Sequence, residues 1–143
     1  MKLLVANRGE IACRIFRSAD EMGIEAVAVY TAHDRGMPHM LGREAVEIPD
    51  YLDKESVVRA AKQAGADFIH PGYGFLSENP AFARVCADAG ITFIGPPPEA
   101  MEAVGDKSTA RHTAGKLGIP ITEGLGPFTD AAEVEAAAAK LGA

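Results

Sequence analysis

The sequence is poor in cysteine. Among its 143 residues only Cys13 and Cys86 carry thiols, and neither belongs to a CxxC pair or to a Cys/His cluster. Structural zinc sites need such spacings, so the pattern argues against one, and we predict no metal-ligating residues. Both cysteines fall at helical positions among apolar neighbours, which predicts two buried free thiols in a reducing compartment.

Runs of positive charge and long apolar segments are also missing. The 14 lysines and arginines are scattered and the formal net charge is −6, which argues against nucleic acid or a membrane surface as a partner. No apolar run is long enough to span a membrane, and the N-terminus enters a strand without the pattern of a signal peptide. We therefore expect a cytoplasmic protein with no nucleic-acid or membrane partner.

Two glycine-rich nucleotide-binding motifs are absent. Dinucleotide-binding proteins carry GxGxxG at the first strand-to-helix turn, but ANRGEI (residues 6–11) has one glycine, Gly9, and has Asn7 two positions earlier. A NAD or FAD site is therefore disfavoured, and a tight turn whose Glu10 favours the helix N-terminus explains the segment better. The P-loop pattern GxxxxGK[ST] is missing as well.

What the sequence does contain is a regular alternation of short apolar runs and amphipathic segments. The alternation predicts an α/β, Rossmann-like three-layer domain in residues 1–95, with a mostly parallel sheet of about five strands and the first strand near its centre. The loops after strands one, four and five should then line one edge. The predicted strands are residues 2–6, 24–30, 45–48, 67–70 and 91–94, and the predicted helices are 10–22, 54–64, 80–89, 99–104, 107–117 and 129–141.

The character of the sequence changes after residue 95. Three prolines at 96–98 block regular structure and predict a stiff connector. The helices in residues 96–143 follow it as a linker toward a second domain. We predict Asn79, Asp106 and Thr129 as helix N-caps, and Gly142 as the residue that ends the last helix.

The segment HPGYGFLSEN (residues 70–79) follows a predicted strand. Ligands of α/β proteins bind at the carboxyl ends of strands. Gly72 and Gly74 flank Tyr73, so the backbone can approach a ligand while presenting a ring. His70 is either a general base or a strand-end residue bonded to the backbone, and the spacing leaves both open.

Four charged residues of the first helix, Glu10, Arg14, Arg17 and Glu21, are spaced by four, three and four positions. The spacing places them in one polar stripe opposite the apolar face. The stripe is either a solvated surface with ion pairs within the helix or a subunit contact in which the arginines meet carboxylates of a partner.

Lys107 lies in GDKSTAR (residues 105–111) at a predicted helix N-terminus. A lysine beside free backbone N–H groups can bind phosphate. A lone surface lysine explains the same pattern, so this segment leaves both alternatives open.

Together four segments resemble the N-terminal part of biotin carboxylase, the ATP-grasp component of the biotin-dependent carboxylases that act on acetyl-CoA, propionyl-CoA and pyruvate. They are LLVANRGEIACRIFRSADEMGIEAVAVY, ADFIHPGYGFLSENPAFA, FIGPPPEAMEAVGDKSTAR and LGIPITEG, in order between residues 2 and 125. The resemblance implies a Rossmann-like domain followed by a helical linker into an ATP-grasp domain that is missing here.

The resemblance also implies a reaction. ATP with Mg²⁺ activates bicarbonate, and the carboxyl group passes to biotin on a carrier domain, while a carboxyltransferase component selects the acyl acceptor. It implies that Lys107 contacts ATP. The resemblance further implies a biotin-site wall formed by His70, Gly72, Tyr73 and Gly74, and a homodimer contact at Arg14, Arg17 and Glu21.

The chain departs from the family pattern in two ways. Gly42 and Arg43 replace a small-acidic pair, and the connection from Ile48 to Leu52 is several residues shorter than typical. The family's glycine-rich lid, Mg²⁺-binding glutamates and general base correspond to positions beyond Ala143, so we predict no catalytic residue in this chain and no activity from it alone. Two other functions stay open: a stand-alone dimerisation module, and an independent nucleotide-binding domain that uses Lys107 weakly.

Overall fold

The structure is a computed structural model that describes residues 1–122, 125–126 and 128–142. Residues 123 and 124, which end the LGIPITEG motif, lie outside the described residues. The chain forms two compact units, Met1–Met101 and Glu102–Ala143. Within the described part of the chain, no helix has the length and apolar character that crossing a membrane requires.

The first unit contains a five-stranded sheet in which every neighbouring pair is parallel. The strand order is β3-β2-β1-β4-β5, so the first strand is central, as the sequence predicts. The strands are β1 (Lys2–Val5), β2 (Glu25–Tyr30), β3 (Ala45–Glu47), β4 (Phe68–His70) and β5 (Thr92–Phe93). The helices are α1 (Gly9–Glu21), α2 (Lys54–Ala64), α3 (Pro80–Asp88), α4 (Pro98–Val104), α5 (Lys107–Lys116) and α6 (Ala131–Leu141).

Alternate residues of β1 face opposite sides of the sheet and bury two separate cores. Leu3 and Val5 pack with the apolar face of α1, including Phe16. Leu4 packs with residues of α2 and α3, including Phe82. A parallel sheet needs both faces covered, and these two cores give the predicted three-layer arrangement.

Side-chain caps begin three of the later helices. The side chain of Asn79 accepts a hydrogen bond from the Phe82 N–H, and Asp106 accepts one from Thr109. Both were predicted as N-caps. The prediction of Thr129 for α6 is wrong: Asp130 is the cap, because its carboxylate accepts the Glu133 N–H at 2.9 Å.

The connection between β2 and β3 contains two short 3₁₀ turns, Ala32–Asp34 and Pro38–Met40, that the sequence did not predict. Arg43, one of the departures from the family pattern, lies against α1. Its guanidinium stacks 4.1 Å from the centre of the Phe16 ring and pairs with Asp20 at 3.0 Å. Arg43 is therefore held by contacts with a neighbouring helix.

The connection after β3 is packed against the core. Ile48 and Tyr51 are both buried in the core that faces α2 and α3, and the Asp50 carboxylate accepts the Leu52 N–H at 2.9 Å. The residues after β3 thus form a tight turn. That this connection is shorter than in the family stays a prediction.

The two cysteines differ in environment. Cys86 is buried, and burial raises the pKa of its thiol to about 11, which keeps it neutral. Cys13 is only partly buried, which corrects the prediction that both thiols lie in the interior.

Phe82 provides a test of the core. Its ring is fully buried and meets the Phe93 ring edge to face at 5.7 Å. Replacing it with alanine (Phe82→Ala) should lower the free energy of unfolding by about 3–5 kcal/mol, because it removes apolar contacts and leaves a cavity. Urea unfolding followed by circular dichroism measures this. Leu52→Ala, at an exposed side chain, is the control and should change stability by less than about 0.5 kcal/mol; equal losses for both variants would contradict the assigned core.

Candidate ligand site at the carboxyl edge of the sheet

The pairing of β1 with β4 brings two distant loops together. Val5 is in register with His70, and the Ala6 N–H donates to the His70 carbonyl at 2.9 Å. The turn before α1 and the loop after β4 therefore leave the sheet side by side. In open parallel sheets this edge is where ligands bind.

The loop after β4 uses its glycines as predicted. Gly72 and Gly74 have φ angles of +66° and +65°, which glycine adopts without strain. Phe75 also has a positive φ, of 43°, which is uncommon for a residue with a side chain. This backbone leaves Tyr73 at the surface, with 59% of the residue exposed.

His70 closes the loop on itself. Its Nδ1 accepts the Gly72 N–H at 3.0 Å. Burial lowers the pKa of His70, which favours the neutral imidazole that this hydrogen bond requires. The structure thus places His70 as a strand-end residue bonded to backbone.

Asn7 is a site residue that the sequence did not single out for this role. It is 2% exposed. Its Nδ2 donates to the carbonyls of Pro71 at 2.7 Å and Tyr73 at 2.8 Å, and its Oδ1 accepts the Arg8 N–H at 2.9 Å. The available signal was an asparagine in the strand-to-helix turn, but the two carbonyls that it donates to lie more than 60 residues away.

A cleft of about 780 Å³ opens beside Tyr73. Its walls are the turn before α1, the first half of α1, residues 34–39 and residues 73–75. The Tyr73 hydroxyl donates to the Glu10 carboxylate, which ties the ring to α1. The cleft therefore offers an exposed aromatic ring beside polar groups, which is the usual composition of a small-molecule site.

An ion pair supports the floor of the cleft. Asp34 is 3% exposed and accepts hydrogen bonds from Arg8 at 2.8 Å and Thr31 at 2.9 Å. Burial by itself raises the pKa of Asp34, but these hydrogen bonds outweigh it, so the pKa lies below its usual value. His39, also lining the cleft, is buried with both ring nitrogens unpaired among the described residues, and burial lowers its pKa.

The polar stripe of α1 is exposed as its spacing predicts. Arg14, Arg17 and Glu21 all lie on the surface. Within residues 1–122 none of the three forms an ion pair; the Arg14 guanidinium instead donates to the Ser18 hydroxyl. Arg17 also lines the cleft. The arginine charges are therefore available to a partner.

Lys107 is the first residue of α5, in the second unit. It is exposed. The Asp106 carboxylate already accepts the Thr109 N–H and the Ser108 and Thr109 hydroxyls. These hydrogen bonds, chiefly those from Thr109, lower the pKa of Asp106 to about 2. The helix N-terminus therefore already holds a carboxylate, and the Lys107 ammonium is the adjacent positive charge that favours a phosphate.

No group of three or more His, Cys, Asp or Glu side chains lies close enough to hold a metal ion in residues 1–122, 125–126 and 128–142. The described residues thus provide no cluster for Mg²⁺, and no step of a reaction is assigned to a metal held by this chain.

The fold and the cleft define a class of protein: a Rossmann-like α/β domain with a candidate ligand site at its carboxyl edge. Comparison with known proteins gives the family. Residues 1–101 match the family model "biotin carboxylase, N-terminal domain". The chain belongs to this family, which confirms the resemblance carried by the four sequence motifs.

Individual relatives agree with this assignment. A biotin carboxylase from Nostoc is 51% identical over 130 residues, which cover 86% of this chain and 29% of that protein. The alpha subunit of mitochondrial methylcrotonoyl-CoA carboxylase from Arabidopsis thaliana is 46% identical over 99% of this chain and 20% of its own length. The solved biotin carboxylase domain of a single-chain bacterial carboxylase is 43% identical, with a TM-score of 0.89 over 99% of this chain and 34% of that one.

The chain is short beside these proteins. It covers 29% of the Nostoc biotin carboxylase, 20% of the Arabidopsis subunit and 11% of the mitochondrial pyruvate carboxylase from rat, which is 46% identical over 86% of this chain. The family assignment therefore applies to a domain, and the activity and partners of the whole relatives come to this chain only as proposals.

The depressed pKa values of His70 and His39 predict how stability depends on pH. Unfolding restores the ordinary value of about 6.5, so the unfolded chain binds more protons than the folded one in acid. The stabilising contribution should be complete above pH 6.5 and decline as the pH falls below it. Urea unfolding between pH 7.5 and pH 5 measures this decline.

Two variants test whether His70 causes this pH dependence of stability. His70→Asn keeps a hydrogen-bond acceptor for Gly72 but cannot titrate, so its stability should vary less between pH 7.5 and pH 5. His33→Asn, at an exposed position, should retain the full pH dependence. If His70→Asn behaves like His33→Asn, the partly buried imidazole of His70 does not contribute.

Proposed function

We propose that this chain is the N-terminal domain of an ATP-dependent biotin carboxylase. The parent reaction would join bicarbonate to carrier-bound biotin at the expense of ATP. The observation that carries the proposal is the cleft beside Tyr73 at the carboxyl edge of the sheet. This sheet lies within residues 1–101, which match the biotin carboxylase N-terminal domain family. We also propose that the chain alone is inactive, because its described residues form no cluster that could hold Mg²⁺.

We assign the biotin-site wall to His70, Gly72, Tyr73 and Gly74. The ring of Tyr73 is exposed, and its hydroxyl is held by Glu10. The flat apolar face of the ring suits the fused rings of biotin, while the neighbouring glycines let a ligand approach the backbone. His70 contributes by closing the loop through its hydrogen bond to Gly72.

ATP is assigned to Lys107, whose ammonium can neutralise phosphate charge. Residues 96–143 are proposed to lead into an ATP-grasp domain that supplies the Mg²⁺ ligands and the general base. When bound, ATP supplies the phosphoryl group that activates bicarbonate. The described residues of this chain contribute the Lys107 charge and the wall beside Tyr73.

The partners follow from the same proposal. They are a biotin carboxyl carrier domain, a carboxyltransferase component and a second copy of the parent. A cytoplasmic location stays a prediction, and the names of several relatives, such as the rat pyruvate carboxylase, place those proteins in mitochondria.

A titration with biotin tests the assigned wall. Backbone amide signals of residues 72–74 should shift in the ¹⁵N-labelled chain, with a dissociation constant of about 1 mM because one wall supplies few contacts. Tyr73→Ser should remove the response, and Leu52→Ser, at an exposed side chain outside the cleft, should keep it. Absence of any shift contradicts the wall.

An activity assay tests the proposed inactivity of the chain alone. With ATP, Mg²⁺ and bicarbonate added to biotin and the chain, no carboxybiotin should form. Detectable carboxybiotin contradicts the proposed inactivity.

A dimerisation module is the second candidate function, favoured by the exposed arginines of the α1 stripe, which form no ion pair with the residues that the structure describes. Arg17→Glu should then reverse the charge at the contact and abolish self-association while the circular dichroism spectrum stays unchanged. Sedimentation equilibrium reports the mass against the 15.0 kDa of one chain. Arg59→Glu, on the exposed side of α2, is the matched control. Equal masses for wild type and Arg17→Glu would rule out this surface.

A further inference from the structure

We propose that Asn7 is the positioning residue of the Tyr73 loop. Its side-chain amide fixes the backbone of residues 71–73 and thereby holds the Tyr73 ring at the cleft. The role extends the proposed function, because it gives the biotin-site wall a specific support in the turn before α1.

The hydrogen-bonding capacity of Asn7 is directed at this one loop. A primary amide has two N–H donors, and the Nδ2 of Asn7 lies 2.7 Å from the Pro71 carbonyl and 2.8 Å from the Tyr73 carbonyl. The Oδ1 atom accepts the Arg8 N–H at 2.9 Å. The side chain is buried, so the amide loses its hydration and depends on the loop carbonyls for its hydrogen bonds.

The close approach also explains why residue 72 has no side chain. A Cβ added at Gly72 would lie 2.7 Å from the Nδ2 of Asn7, well inside contact distance. The amide therefore occupies the space that a side chain would need. Together with the His70 bond to the Gly72 N–H, it holds the loop from two sides.

Aspartate is the informative substitution because it keeps the shape of asparagine. Asn7→Asp replaces both donors with a carboxylate oxygen, which faces two carbonyl oxygens at less than 3 Å. A carboxylate beside the N-terminus of α1 is otherwise favourable. A loosened loop in this variant thus reports the lost donors rather than an unfavourable charge on the helix.

The chain is well suited to the measurement, since it has only three side-chain amides, on Asn7, Gln63 and Asn79. In the wild type, the Asn7 NH₂ protons should exchange with solvent at a rate about tenfold or more below that of the Gln63 NH₂ protons, because Gln63 is exposed. If the Asn7 protons exchange as fast as those of Gln63, the proposal is overturned. This measurement uses only the wild-type chain, so it does not require that any variant folds.

Asn7→Asp should shift the amide signals of residues 72–74, speed exchange of the Gly72 N–H about tenfold and weaken the proton contact between the Tyr73 ring and Glu10. Asn79→Asp is the matched control: among the described residues the Asn79 side chain acts as an acceptor, from the Phe82 N–H, and aspartate accepts equally well. The control should leave residues 72–74 unchanged. Equal spectra of the loop in the two variants would overturn the role of Asn7.

The biotin titration separates this proposal from the one on which it rests. Asn7→Asp should lose the biotin response at Tyr73 while Asn79→Asp keeps it. If biotin shifts no signal in the wild type, the biotin wall fails, and the exchange and loop signals still decide the role of Asn7. If biotin binds wild type and Asn7→Asp equally, the positioning role is overturned although the wall stands.

Discussion

The parallel pairing of β1 with β4 is the constraint on which the candidate site depends. It sets Val5 beside His70, and the chain then diverges into two loops that share one sheet edge. There the Asn7 amide binds the carbonyls of Pro71 and Tyr73, which lie 64 and 66 positions further along the chain. Both strands are buried on the two faces of the sheet, so a shift in register would break both cores as well as the site.

The helix α1 connects two surfaces that would otherwise be independent. Its first turn carries Glu10, which holds the Tyr73 hydroxyl, and the same exposed side continues through Arg14 and Arg17. Its opposite side packs against the sheet through Phe16. A rigid helix packed in this way fixes the proposed biotin wall and the proposed dimer surface relative to each other.

The segment between β2 and β3 shows how charged side chains are held without long regular elements. Arg43 stacks on Phe16 and pairs with Asp20. Asp34 is buried and accepts hydrogen bonds from Arg8 and Thr31. Charged groups can be buried when they are paired. The segment thereby supports α1 and the cleft without any regular element longer than a 3₁₀ turn.

Local patterns were enough to predict the order of strands and helices, the use of glycine around Tyr73 and the exposure of the α1 stripe, because periodicity and backbone preference depend on neighbouring residues. The central place of β1 followed from the handedness of parallel crossovers. The hydrogen bonds of Asn7 to the Tyr73 loop, the pairing of Asp34 with Arg8 and the partial exposure of Cys13 became visible in the folded chain. These features depend on contacts between segments far apart in the chain, which no local pattern encodes. The same holds for the α6 cap, where two neighbouring polar residues both suit the role and the backbone geometry selects Asp130.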